Sequence, residues 1–419
     1  MIRMARRRDR HLAVKSVWKL VTCLLMAAAA ASLIHGANNA LALWGSMDLG
    51  VSLRSAQTLQ HEDPYRRHLR SPGRPSEHPS RHQNPYWMHP VQIPSALMLL
   101  WPYSGLSWPA AKIAWLITNL LCTAGLLLLA FRRFLPDRSP WTYAAIASLF
   151  VIGTPWRNAF ANGQHGIVSL FFFLTAMELA DRRRSLWAGA ALAVSLIKYS
   201  TTLFLLPWFV FKRQWLVLAA AAAIHGVMTI AISLWLGTPP WTLVAGSLRV
   251  GGGDLLFSGF LDMFAWAHAL GLPALVPTLT ATAVLLLLLG MALAKRVANE
   301  DLFLAALCLS ALSLVYHRAY DHLLLIVPLL AAIRHWRTEK LAAVLIGACT
   351  AQIWFLERAI HFLAPSLEGR ASLPYNLLAA LWYLTLATLL YRCVVARPVR
   401  PGEQGTGPGA AKAECYAVR

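Results

Sequence analysis

Charge is scarce in this sequence. Of 419 residues only 13% are Asp, Glu, Lys or Arg, about half the share of a soluble domain, while 58% are hydrophobic. A chain of this length with so little charge argues against a water-soluble globular fold. Acidic residues are fewest, 18 against 38 Lys and Arg. The resulting net charge of +20 invites a nucleic-acid reading. Its distribution excludes that reading: the basic residues sit in short clusters between apolar runs, which is the positive-inside pattern. Cysteine is sparse too. Cys23, Cys122, Cys308, Cys349, Cys393 and Cys415 include no CxxC pair, and five lie in or beside apolar runs. They read as small hydrophobes, neither a disulfide framework nor a zinc site. Alternating barrel-strand patterning is missing, as is any internal repeat. The second absence counts against transporters built from duplicated halves.

What the sequence does contain is a series of Leu- and Ala-rich runs of about 20 residues, the length that spans a bilayer as a helix. Twelve candidate spans, within a range of ten to thirteen, begin near Val17, Trp108, Trp141, Gln164, Leu186, Thr202, Trp215, Pro273, Leu302, Asp321, Leu341 and Pro374. Those near Leu186 and Thr202 are short and read as a hairpin. The expected fold is an all-α polytopic membrane protein in three parts. A basic tail (1–16) precedes one transmembrane domain (17–396), and a Gly-, Pro- and Ala-rich tail (397–419) reads as disordered. Arg6, Arg7, Arg8 and Arg10 followed by an apolar core mimic a signal peptide. The apolar stretch runs on to about Leu43, so an uncleaved first span is preferred. Placing the N-terminus inside puts most Lys and Arg on cytoplasmic segments and both termini in the cytoplasm, in a bacterial inner membrane. Two large loops then face outward. The first (44–101) carries an amphipathic stretch, Leu49–Leu59, and a His- and Pro-rich segment. The second (237–272) suggests interfacial helices over Trp241–Leu248 and Leu255–Leu270, separated by Gly251-Gly252-Gly253.

Polar groups gather at the outer ends of the spans, where ionisable residues are costly and point to function. Asp48 follows the first span almost directly. It either caps the amphipathic stretch or serves as a base at the membrane boundary. Asn162-Gly163 forms a turn from which Gln164 and His165 open the next span; both side chains suit a phosphate or a sugar, or an ordinary interfacial cap. Lys198, between two short apolar stretches, is a hairpin apex, a buried cation awaiting an anion, or a snorkelling side chain. In His317–His322, Arg318 and His322 lie four apart and would share a face of an α-helix, making a phosphate clamp at a helix start. Asp321 would orient that region or cap the helix. Aromatic residues near the outer boundary belong mostly to the interfacial belt. The first-loop histidines His61, His68, His78, His82 and His89 lack metal-ligand spacing, and no metal site is expected.

In their order, these segments resemble glycosyltransferase family 87. The residues that carry the resemblance are Asp48 with the amphipathic stretch after it, and HEDPY ending at Tyr65. They continue with Tyr86-Trp87-Met88-His89-Pro90, Gly163-Gln164, the small-residue run Ala188–Lys198 before Pro207, and Arg318–His322. The resemblance implies a GT-C fold and a hexosyltransferase that takes a polyprenyl-phosphate sugar from the outer leaflet, without a nucleotide-sugar, a Rossmann domain or a cofactor. Mannosyltransferases belong to this family. By the same analogy Asp48 is the general base of an inverting displacement. Lys198, Arg318 and His322 face the donor phosphate, with Gln164 and His165 as hydrogen-bond partners. Tyr65, Tyr86, His89 and Asp321 become contacts for acceptor or sugar. The expected partners are a lipid-linked sugar donor, a glycolipid or glycan acceptor, and membrane lipids. The competing readings are a transporter or flippase of lipid-linked sugars and a non-catalytic scaffold. A transporter would need charges or broken helix pairs along a route across the bilayer, whereas here they collect at one face.

Overall fold

The computed structural model describes residues 2–43, 45–66, 92–254, 261–315, 317–356 and 372–395. Tyr86, His89 and the tail 397–419 lie outside the described residues. Among these, every regular element is a helix and no strand occurs. The main helices are α1 (Ile2–Leu41), α2 (Met47–Thr58), α3 (Trp108–Phe134), α4 (Pro140–Ile152), α5 (Thr154–Asn162), α6 (Gly166–Asp181), α7 (Ser185–Ser195), α8 (Pro207–Phe211) and α9 (Trp215–Leu236). They continue with α10 (Pro240–Asp254), α11 (Met263–Ala269), α12 (Leu275–Leu293), α13 (Glu300–Leu314), α14 (Ile326–Arg334), α15 (Lys340–Ala351) and α16 (Ser372–Val395).

Local sequence sets the ends of these helices. Ser107 in an extended conformation and a proline in the first turn open α3, and Arg132 and Arg133 close it, where cations meet the negative end of the helix. Asn299 accepts from the amides of Asp301 and Leu302 and so caps α13, with Glu300 and Asp301 in its first turn. Beyond Asp301, α13 is apolar all round apart from Ser310 and Ser313, and Leu302 to Leu314 are all buried. It is the central helix of the core. Its neighbours include α14 and α16.

Six described stretches are long and apolar enough to cross a membrane: Lys15–Leu41, Trp108–Phe134, Ser185–Leu205, Trp215–Leu236, Leu275–Leu293 and Leu377–Val394. Other segments read as spans form shorter helices, such as α4, α6, α13 and α15, of 13, 16, 15 and 12 residues. The stretch Ser185–Leu205 is not one straight rod. A 3-10 turn, Leu196–Lys198, interrupts it, and Lys198 leaves helical geometry at φ −117°, ψ 71°. Asp181 before it and Lys212 after it join the same ion-pair group, through Arg133 and Glu300. The chain therefore leaves that end of the molecule and returns to it, with Lys198 at the reversal, as the hairpin reading expects.

The basic tail is helical, and α1 runs without a break from Ile2 into the first span, whose apolar stretch begins at Lys15. One difference from the sequence reading concerns the second loop: the three glycines do not break it, since α10 continues to Asp254. Leu243, Ser247 and Val250 are buried at helical spacing, and Gly246 lies against Tyr65. A packed face of this kind outweighs about 1 kcal/mol of propensity lost per glycine.

The molecule has two polar layers. One holds Arg133, Asp181, Lys212, Glu300, Asp301, Arg334 and His335, joined by ion pairs. The other lies at the opposite ends of α6 and α13. At 1.5 Å per residue, α6 separates the two by about 24 Å, less than the thickness of a bilayer core. One helix, α3, rises past the second layer. In α3, Trp115 stands at its level, donating to the Gly163 carbonyl at 2.9 Å, and the helix continues about 10 Å further to Trp108. The second layer thus lies below the end of α3.

Candidate functional site

Asp48 is placed by a pinned turn. Lys112 on α3 donates to the carbonyls of Leu41 (3.5 Å) and Ala42 (2.5 Å) at the end of α1. The Ser46 hydroxyl donates to Ala40 O at 3.0 Å, and the Ser46 amide to Ala161 O at 3.0 Å. Gly45 passes so close to the end of α1 that a side chain there would overlap the Asn39 carbonyl. This geometry sets Asp48 in the first turn of α2, beside the α5–α6 turn. There, Gly163 adopts the left-handed conformation at φ 67°, with space for a Cβ closed by Leu49 at 2.8 Å.

Gln164, next in the chain, joins two charges. Its Nε2 donates to Asp48 Oδ2, and its Oε1 accepts from Lys198 Nζ at 3.1 Å. The same ammonium group forms an ion pair with Asp321 Oδ1 and lies 4.8 Å from the centre of the Tyr320 ring. Asp321 Oδ2 accepts from the Arg318 amide at 3.1 Å and faces His317 Nδ1 at 3.2 Å. Gln164, Lys198 and Asp321, which lie 116, 150 and 273 positions downstream of Asp48, are thereby drawn into one polar cluster. Burial pushes the Asp48 carboxyl above its ordinary value; the Gln164 hydrogen bond and the charges of Arg318 and Lys198 act against that rise.

Asp48 does not cap α2 through a side-chain bond to the helix's first amides, because its Oδ2 accepts from Gln164. Asp321 does cap its own segment. Both of its oxygens are engaged by protein, which makes it a positioning group for Lys198. The segment Ala319–Leu325 is a 3-10 helix rather than an α-helix. At three residues per turn Arg318 aligns with Asp321, so the α-helical face expected for Arg318 and His322 does not form. The His322 ring is buried 5.9 Å from Trp382, and its carbonyl accepts from Trp354 Nε1 at 3.4 Å. His165 is buried beside the cluster, its ring 5.2 Å from Trp115, and its Nε2 has no hydrogen-bond partner. A buried imidazole nitrogen without a partner fits a ligand group arriving there.

Tyr65 belongs to the support of the site. Its hydroxyl donates to Gln92 O at 2.5 Å, Gln92 Nε2 donates to Ser52 Oγ at 2.9 Å, and Ser52 Oγ donates to Asp48 O at 2.9 Å. This chain ties the first loop to α2. Two residues that the sequence reading left without a role also stand here, Asp262 and His317. The Asp262 carboxylate accepts from the amides of Phe264 and Ala265 and, at 3.3 Å, from that of His317. An aspartate just before the apolar run 263–267 was the legible sign of a helix cap; its bond across 55 positions was not.

The arrangement offers a carboxylate able to take a proton, with cations within the same cluster to hold an anion. The profile of glycosyltransferase family 87 matches residues 93–317, more than half of the chain, taking in Gln164, His165, Lys198, Asp262 and His317. No curated protein and no solved structure matches the chain.

Proposed function

We propose that this chain, which belongs to glycosyltransferase family 87 and is a membrane glycosyltransferase, moves a sugar from a polyprenyl-phosphate donor to a glycolipid or glycan acceptor at the outer face of the inner membrane. The sugar is mannose or another hexose or pentose. Asp48 takes the proton of the acceptor hydroxyl as its oxygen attacks the anomeric carbon. The bond from that carbon to the phosphate oxygen breaks, and polyprenyl phosphate leaves with the bonding electrons. Attack opposite the leaving group inverts the anomeric centre. Lys198 and Arg318 stabilise the charge that builds on the departing phosphate, while Gln164 and His165 supply hydrogen-bonding groups.

The observation that carries this reading is the joining of Asp48 to Lys198 through one amide, Gln164, below the end of the membrane-length helix α3. A substrate anchored in the membrane by its own lipid reaches such a depth without leaving the bilayer. The deciding experiment uses purified protein, a panel of radiolabelled polyprenyl-phosphate sugars and membrane lipid extract. Asp48→Asn is expected to abolish transfer while the donor still binds. Undiminished transfer by Asp48→Asn, or no transfer from any donor by the unaltered chain, would overturn the proposal.

A further inference from the structure

The His317 side chain is wholly buried, and the atoms that face its two ring nitrogens are of one kind. Nε2 lies 2.6 Å from the carbonyl oxygen of Ala311, and Nδ1 lies 3.2 Å from Asp321 Oδ2. A carbonyl accepts only, and so does an ionised carboxylate. A neutral imidazole has one N–H and one lone pair, so one of these contacts would set a lone pair against an oxygen. A ring with two N–H groups satisfies both.

The ionisation of the surrounding groups supports this. Asp321 receives Lys198 on Oδ1 and the Arg318 amide on Oδ2, which suits a carboxylate. Asp262, wholly buried on the other side of His317, uses both oxygens as acceptors toward three amides. Burial raises the Asp262 carboxyl above its ordinary value, against the pull of those amides and of the His317 ring. A carboxylate under that pressure needs a nearby cation, and Lys198 is committed to Asp321. Among the described residues the remaining titratable neighbours are His322, along the 3-10 segment, and Tyr383 on α16, whose hydroxyl donates to Ser313 O at 3.3 Å. Neither supplies a positive charge to Asp262. Among the described residues, Asp48, Asp262 and Asp321 against Lys198 and Arg318 leave the cluster one negative charge in excess, which would oppose an incoming phosphodiester.

We infer that His317 is a resident imidazolium, held between Asp262 and Asp321, that brings the cluster to charge balance and positions Asp321 and Lys198 for the donor phosphate. It is a positioning residue, since both of its ring nitrogens are taken up by protein. The part concerning phosphate rests on the function proposed above; the protonation state does not.

The test is nitrogen NMR of protein carrying ring-15N histidine at pH 7.5, with the His317 signals identified by their loss in His317→Gln. Two protonated ring nitrogens are expected in the unaltered chain. In Asp262→Asn, where asparagine still caps α11 but an uncharged amide replaces the carboxylate, a ring with one bare nitrogen is expected at the same pH. A ring with one bare nitrogen in the unaltered chain overturns the inference. If His317→Gln does not fold, assignment starts from the Tyr316-His317 pair, unique in the sequence, by carbonyl-13C tyrosine and 15N histidine labelling. The second measurement is binding of a polyprenyl monophosphate, expected to weaken about tenfold or more in His317→Gln, since a buried positive charge is lost. Unchanged affinity in that variant overturns the link to phosphate, whereas failure of the unaltered chain to bind the lipid counts against the proposed function and leaves the NMR result standing.

Discussion

Gln164 reaches Asp48 across 116 positions of sequence, and its amide is oriented by what lies on either side. The nitrogen faces a carboxylate and the oxygen faces the Lys198 ammonium group. Only an amide satisfies both. Gln164→Glu sets a second carboxylate against Asp48 and is expected to lower kcat by about 100-fold and to raise the Asp48 carboxyl further. Gln164→Leu removes both bonds without adding charge and is expected to cost less. Steady-state kinetics of the two variants checks the order; a Glu variant as active as the unaltered chain would show that the contact is incidental.

The pH dependence follows from the Asp48 environment. Burial raises its carboxyl and outweighs the pull of Gln164, Arg318 and Lys198. A general base works only when deprotonated. Transfer should therefore be steady at neutral pH and fall as pH drops through a value above the ordinary carboxylate range. The stability linkage has the opposite sense. Because folding raises this carboxyl, its ionised form costs stability at neutral pH, and the cost fades as acid protonates it. Asp48→Asn is expected to be inactive and to melt at a higher temperature than the unaltered chain at pH 7. An acid limb at the ordinary carboxylate value, with no gain in melting temperature, would contradict both expectations.

The sequence made much of this legible, for identifiable reasons. Apolar runs and basic clusters mark helices and their ends locally, and Asp48, Gly163-Gln164 and Lys198 each stood at a visible boundary. The hairpin at Lys198 was readable because a lysine interrupts two apolar stretches too short to span alone. The relation of Arg318 to His322 was misjudged because it assumed α-helical periodicity, and the backbone there winds at three residues per turn. Asp262 and His317 were missed because their roles depend on contacts 55 positions apart. Pattern reading along the chain does not reach that far.

Gly163 is expected to be the least replaceable residue of the α5–α6 turn. Its φ of 67° is unfavourable for any side chain, and a Cβ would stand 2.8 Å from Leu49 Cβ on the helix that carries Asp48. Gly163→Ala should cost about 1–3 kcal/mol of stability and move Gln164 away from Asp48. Thermal melting and kcat should fall together. A stable variant with low kcat would also fit a displaced Gln164, whereas one with full stability and full activity would show that the turn adapts.

The ion-pair layer provides a control on the opposite side of the molecule. Glu300 joins Arg133 at 2.5 Å and Lys212 at 2.9 Å, with each side chain partly exposed, so Glu300→Gln should cost only about 0.5–1 kcal/mol. At about 24 Å from the Asp48 cluster it should leave kcat and the acid limb unchanged. The same layer tests the orientation in the membrane. It gathers Arg133, Lys212 and Arg334 from the ends of three separate helices, and a concentration of cations of this kind belongs on the cytoplasmic side. In a chain with its native cysteines replaced, a single cysteine at exposed Arg182 should then react with a membrane-impermeant reagent only in inside-out vesicles. One at exposed His61 should react in intact cells. Labelling of position 182 from outside would place Asp48 and its cations toward the cytoplasm, where no outer-face transfer is possible, while Glu300→Gln would keep its expected phenotype in either orientation.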